Sequence, residues 1–159
     1  MNDWLNDEVN RIKHEDAITE SQNVRKQEIG SQCLTMWDDL RAFLETDVQR
    51  MNASPEILRK VGGSKVTFND TNREIVEVHK PVLPSVRLTI TREHLSVNIV
   101  CVITRNGDTF DSDEPKRTSE RLHCDLDQES NACYRTARSE WLRAKEASGY
   151  ILRSILRVS

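Results

Sequence analysis

Asp108, Asp111, Asp113 and Glu114 crowd into NGDTFDSDEP, residues 106–115, the segment of the chain that most resembles a chemical site. Clustered carboxylates suit a divalent cation. An EF-hand-type loop, however, needs oxygen ligands at its first, third and fifth positions, a glycine at the sixth and a bidentate Glu at the twelfth. These four acids do not keep that spacing, and the nearby Gly107 precedes them all. Asn106–Gly107 is instead a strong hairpin signal, because both residue types tolerate positive φ. The segment therefore reads as an acidic, solvated turn between two strands.

The histidines, His14, His79, His94 and His123, form no H-E-x-x-H pair and none has a cysteine at zinc-finger spacing. His123, Cys124 and Cys133 could supply three ligands if a hairpin brought them together. Neighbours on a strand point to opposite faces, so His123 and Cys124 do not readily share an ion. Nucleophilic serine chemistry lacks its G-x-S-x-G elbow. VGGSK at 61–65 lacks the full phosphate-loop pattern, and strand-like sequence follows where a helix is required. Dinucleotide fingerprints are absent as well. The sequence thus nominates no catalytic, cofactor-binding or metal-ligating residue, and an enzyme is not the favoured reading.

Nucleic acid is not favoured either. Arg135, Arg138, Arg143, Lys145, Arg153 and Arg157 cluster near the C-terminus, but they spread around a helix that also carries Glu140 and Glu146. The net charge is −3 and the aromatic share only 5%, which is poor material for phosphate binding or base stacking.

What could position any site is clearer. A chain of 159 residues makes one ordinary domain able to bury a core without staples. Its start, MNDWLNDEVNRIKHED, has neither the basic nor the apolar region of a signal peptide. The apolar stretch VNIVCVI is too short to cross a bilayer, so no membrane association is expected. Cys33, Cys101, Cys124 and Cys133 lack paired spacing, which leads to an expectation of reduced, mostly buried thiols and a cytoplasmic location.

Apolar residues from Ile29 to Met51 recur in steps of three and four, the mark of an amphipathic helix. Upstream, Trp4, Leu5, Val9, Ile12, Ile18 and Val24 are sparser. One helix over residues 2–52 would run about 75 Å, so a break is expected at Gly30 or within Thr19–Asn23. SPEILRKVGG reads as a short helical turn, with Ser54 as cap, Pro55 first and Gly62–Gly63 as the stop. Period-two alternation then marks strands at 65–69, 74–79, 86–91, 95–104 and 120–127, with 132–137 as a further candidate after a QESN turn. The 95–104 strand is apolar on both faces in its second half, so it should be central and covered on both sides. Residues 139–158, capped by Ser139, form the last helix, in which Gly149 marks a bend or a close approach to the sheet.

The expected fold is α+β: a long N-terminal helical segment, an antiparallel meander of five or six strands, and a C-terminal helix on one sheet face. Residues 1–27 form a helical arm and 28–159 a single domain. The arm is hard to bury within one domain, so Trp4, Leu5, Val9, Ile12 and Ile18 are the candidate partner-binding residues. The favoured function is a non-catalytic interaction protein (adaptor, scaffold or chaperone-like), homodimeric, contacting partners through arm and sheet edge. The alternative is a small-ligand-binding protein or enzyme with a pocket between sheet and covering helix, where His79, Arg87, Asn98 and His123 would supply polar groups.

Overall fold

A computed structural model describes residues 3–105 and 115–158. The acidic segment from Asn106 to Glu114 lies outside the described residues. Helix α1 (Trp4–Ala53) leads into a short α2 (Pro55–Lys60). Seven strands follow: β1 (Thr67–Asn72), β2 (Ile75–Lys80), β3 (Ser85–Glu93), β4 (Ser96–Thr104), β5 (Lys116–Leu126), β6 (Ala132–Arg135) and β7 (Trp141–Leu142). Helix α3 (Ala144–Leu156) closes the fold. The strands pair antiparallel in chain order, one continuous meander with β4 at its centre.

Alternation decides which face of the sheet is covered. Val76 and Val78 of β2, Val86, Leu88 and Ile90 of β3, and Val97 and Ile99 of β4 are buried and share one face with Leu122 and Cys124 of β5. Both α1 and α3 lie there. Cys33 of α1 is disulfide-bonded to Cys124, Arg41 of α1 pairs with Asp70 of β1, and Tyr150 of α3 bonds Glu120 of β5. The helices are locked to one another where the Ser148 hydroxyl donates to the Asp47 carboxylate at 2.8 Å. The end of α1 is tied to the sheet by Asn52, whose side chain both donates to the Val66 carbonyl and accepts from the Val66 N–H, each at 2.8 Å. The indole of Trp37 donates to the Arg73 carbonyl at 2.7 Å, so even the most bulky core residue is polar-satisfied.

Several local expectations hold. Ser54 accepts from the Ile57 N–H, Pro55 opens α2, and Gly62 and Gly63 end it with φ of 92° and 84°. The QESN turn forms around Asp127, whose carboxylate accepts the N–H groups of Glu129 and Asn131, both at 2.9 Å. Those bonds, that from Asn131 foremost, hold the Asp127 carboxyl below its ordinary pKa.

Others are corrected. α1 is one uninterrupted helix of 50 residues, with no break at Gly30 or Thr19–Asn23. A single glycine costs a helix only about 1 kcal/mol, and the length problem is solved by projection beyond the body. The strand count is seven, not five or six. β5 starts at Lys116 because register with β4 extends it through KRTS, which is exposed on both faces and shows no apolar alternation. The last helix begins at Ala144, not Ser139. Ser139 adopts φ 63° in a tight turn in which Thr136 takes the Glu140 N–H, and Trp141 and Leu142 pair with β6 as β7. Nothing lies within 4 Å of a Cβ built at Gly149, so it marks no close approach. Finally, Cys33 and Cys124 are not reduced thiols: they form a disulfide spanning 91 residues.

Candidate functional site

The core-facing line of α1 runs Ile29, Cys33, Met36/Trp37, Leu40, Phe43/Leu44, Val48 and Met51. Carried backward at the same steps it meets Lys26, Gln22, Ile18, Glu15, Arg11, Glu8 and Trp4. Polar residues hold most of that line, and Arg11 occupies it by ion-pairing with Glu8 and Glu15, both at 2.8 Å. This is why the body of the domain stops near Ile29. From Asp3 to Glu28 every residue is exposed except the half-buried Glu8. The result is a helical arm of about 37 Å at 1.5 Å per residue.

The predicted partner-binding residues all fall on this arm, at 58% exposure for Trp4 and Leu5, 40% for Val9, 48% for Ile12 and 45% for Ile18. They do not share one face. Trp4 and Ile18 extend the core-facing line. Leu5, Val9 and Ile12 stand one residue later, about 100° around the helix, and make a second apolar stripe separate from the domain's own packing. Asp16 continues that stripe, and Glu8, Glu15 and Glu20 border it.

On the sheet's other face no described element covers β2–β5, although Cys133 of β6 is buried there. Across it the register sets His79, Arg87, Val102 and Arg117 in one row and Glu77, Thr89, Val100 and Ser119 in the next. Thr91, Asn98 and Arg121 follow, then Ser96, His123, Arg135 and Trp141. Arg135 stacks over the Trp141 ring, 5.9 Å from its centroid, and Arg121 pairs with Glu93 at 3.1 Å. Val100 and Val102 are only half-buried, and no described element lies over them, so the expected second cover of β4 is not supplied among the described residues.

His79, Arg87, Asn98 and His123, the polar groups named for a pocket, all sit on this open face and not between sheet and helix. The space between sheet and α3 is a half-open cleft of about 590 Å³ with Leu88, Ile99, Cys101, Ile103 and Val158 in its lining. At its side the Tyr150 hydroxyl donates to Glu120. Burial, then this bond, pushes the Tyr150 phenol up to about 12. Burial also raises the Cys101 thiol, which leaves it protonated at neutral pH and unactivated as a nucleophile. The cleft offers an apolar floor with Arg105, Glu120 and Arg157 among its polar lining. Among the described residues no three His, Cys, Asp or Glu side chains converge on a common point, and Cys124 is engaged in its disulfide.

The edges of the sheet were the other expected contact surface. β1 is polar and bulged between Asp70 and Asn72, and β7 has two residues, both features that blunt strand addition. No described helix is long and apolar enough to cross a membrane. No family model, curated protein or solved structure matches the chain.

Proposed function

We propose that this chain is a non-catalytic interaction protein, of adaptor, scaffold or chaperone-like kind, that self-associates through its N-terminal helical arm. One observation carries the reading: Trp4–Glu28 is helical yet touches no core of its own, with Leu5, Val9 and Ile12 aligned on a solvent-facing stripe. Most helices in proteins owe their stability to packing of an apolar face, and among the described residues this stretch has nothing to pack against. A partner surface supplies that packing. The blunted edges make the sheet edge a lesser contributor than the arm.

A cytoplasmic location goes with this proposal. The Cys33–Cys124 bridge is the feature that weighs against it, since disulfides favour oxidising compartments. Its two residues are each 7% exposed, which shields the sulfurs from soluble thiols.

The test is light scattering of the chain with and without residues 1–27, because the described core lies within 29–158. A dimer that becomes a monomer on truncation is the expected result. Monomers in both cases across the micromolar range would overturn the proposal. The alternative, a small-molecule site, rests on the cleft beside Tyr150, and a thermal-shift screen with apolar ligands answers it.

A further inference from the structure

β4 raises a question that the described residues of one copy do not answer. Val100 and Val102 place two β-branched side chains at the middle of the central strand, on the face away from both helices. Val102 is flanked directly by Arg87 on β3 and Arg117 on β5, both exposed. Neither arginine makes an ion pair with a described residue. The open face as a whole carries Arg87, Arg117, Arg121 and Arg135 against Glu77, Glu93 and Asp125, within a chain whose net charge is −3. This is an apolar strip walled by cations.

The arm is its electrostatic counterpart. Its stripe of Leu5, Val9 and Ile12 runs on into Asp16 and is bordered by Glu20, neither acid ion-paired with a described residue, while the flanking Glu8 and Glu15 pair with Arg11. Sizes agree as well. The sheet is about 29 Å across seven strands and about 30 Å along its nine-residue central strands, against about 37 Å of arm. A chain's own arm does not reach this face, since α1 is anchored by Cys33 to the opposite face and runs as one uninterrupted helix away from the body. Among the described residues no other segment of the same chain lies over this face, which leaves a second molecule as the occupant to test.

We infer that the open sheet face around Val100 and Val102 receives the N-terminal helical arm of a second copy of this chain, with the exchange made reciprocally. Leu5, Val9 and Ile12 cover the valines, while the acids along the stripe meet Arg87 and Arg117. Reciprocity makes the contact twofold and isologous, and each dimer buries two such surfaces. This deepens the proposed function and rests on the arm being the element of self-association.

The test uses full-length protein in sedimentation equilibrium, with circular dichroism and thermal unfolding as checks of folding. Three variants are compared with the wild type: Arg87→Glu with Arg117→Glu on the sheet; Asp16→Lys with Glu20→Lys on the arm; and all four changes in one chain. Each one-sided reversal is expected to raise the dimer dissociation constant at least tenfold. The four-fold variant should return to within about threefold of wild type, as complementary charge steering requires. Wild-type association after sheet reversal, or no recovery in the combined chain, would overturn the inference. A fourth variant, Leu5→Asp with Val9→Asp and Ile12→Asp, separates this from the reading beneath it. If that variant is monomeric while sheet reversal changes nothing, arms pair with arms and the sheet assignment falls alone. If the wild type itself is monomeric, both fall. Should the sheet variants misfold, a photo-crosslinking benzoylphenylalanine in place of Val9 decides. Intermolecular crosslinks to peptides of β3–β5 support the inference, and crosslinks to the partner's arm overturn it.

Discussion

Gly30, Gly62 and Gly149 look alike in the sequence and differ in the fold. Gly30 and Gly149 lie inside helices with nothing within 4 Å of a built Cβ, whereas Gly62 has φ 92° and a built Cβ would fall 2.5 Å from Val82 Cγ1. Gly30→Ala and Gly149→Ala should each stabilise by about 0.5–1 kcal/mol, and Gly62→Ala should destabilise by about 1–3 kcal/mol; chemical denaturation measures all three. The role of Gly62 was legible because a helix stop beside a cap and a first-turn proline is a local signal. The turn at Ser139 was not, because Thr136 competes for the Glu140 N–H and diverts the chain into β7. The two tyrosines permit a second test. Burial raises both phenols, Tyr150 to about 12 with added help from Glu120, so neither should ionise in the folded protein near pH 10. Between pH 10 and 12 the folded state then holds a proton the unfolded state has lost. Stability from Tyr150 is complete below the unfolded value and declines as pH rises through that window. Ultraviolet titration should show little tyrosinate until the protein unfolds; a full step centred at pH 10 would contradict this.

At the scale of elements, α1 was legible in composition but not in continuity. Its stripe from Ile29 to Met51 marks the packed half, and the polar residues on the same line upstream mark where packing ends. Length alone pointed to a break, because a helix wider than its domain is unusual; projection was the other solution. The cross-link between α1 and β5 was hidden for a different reason. Cys33 and Cys124 are 91 positions apart, and only the register of β5 together with the seat of α1 brings them together. That bridge clamps the helix close to where the arm leaves the body. Closing so long a loop restricts the unfolded chain, so Cys33→Ala with Cys124→Ala should cost about 2–4 kcal/mol. The melting temperature should fall by roughly 4–16 °C. Equal melting of wild type with and without reductant, after thiol counting has confirmed reduction, would contradict a structural bridge.

For the whole molecule, the α+β class, the antiparallel meander and the covering helix followed from periodicity alone, since alternation and helical stripes report burial directly. What periodicity does not report is the source of burial. Val100 and Val102 read as covered, yet they are half-buried with no described element over them; Leu5, Val9 and Ile12 read as needing cover and are exposed. Under the proposed self-association, the arm of a second copy covers the valines and the valines cover the arm's stripe. Hydrogen–deuterium exchange across residues 4–28 at increasing protein concentration tests this most directly. Amide protection along Leu5–Asp16 that rises with concentration, together with protection on β3–β5, is the expected result. An arm that exchanges at the same fast rate from low to high micromolar concentration would contradict the account.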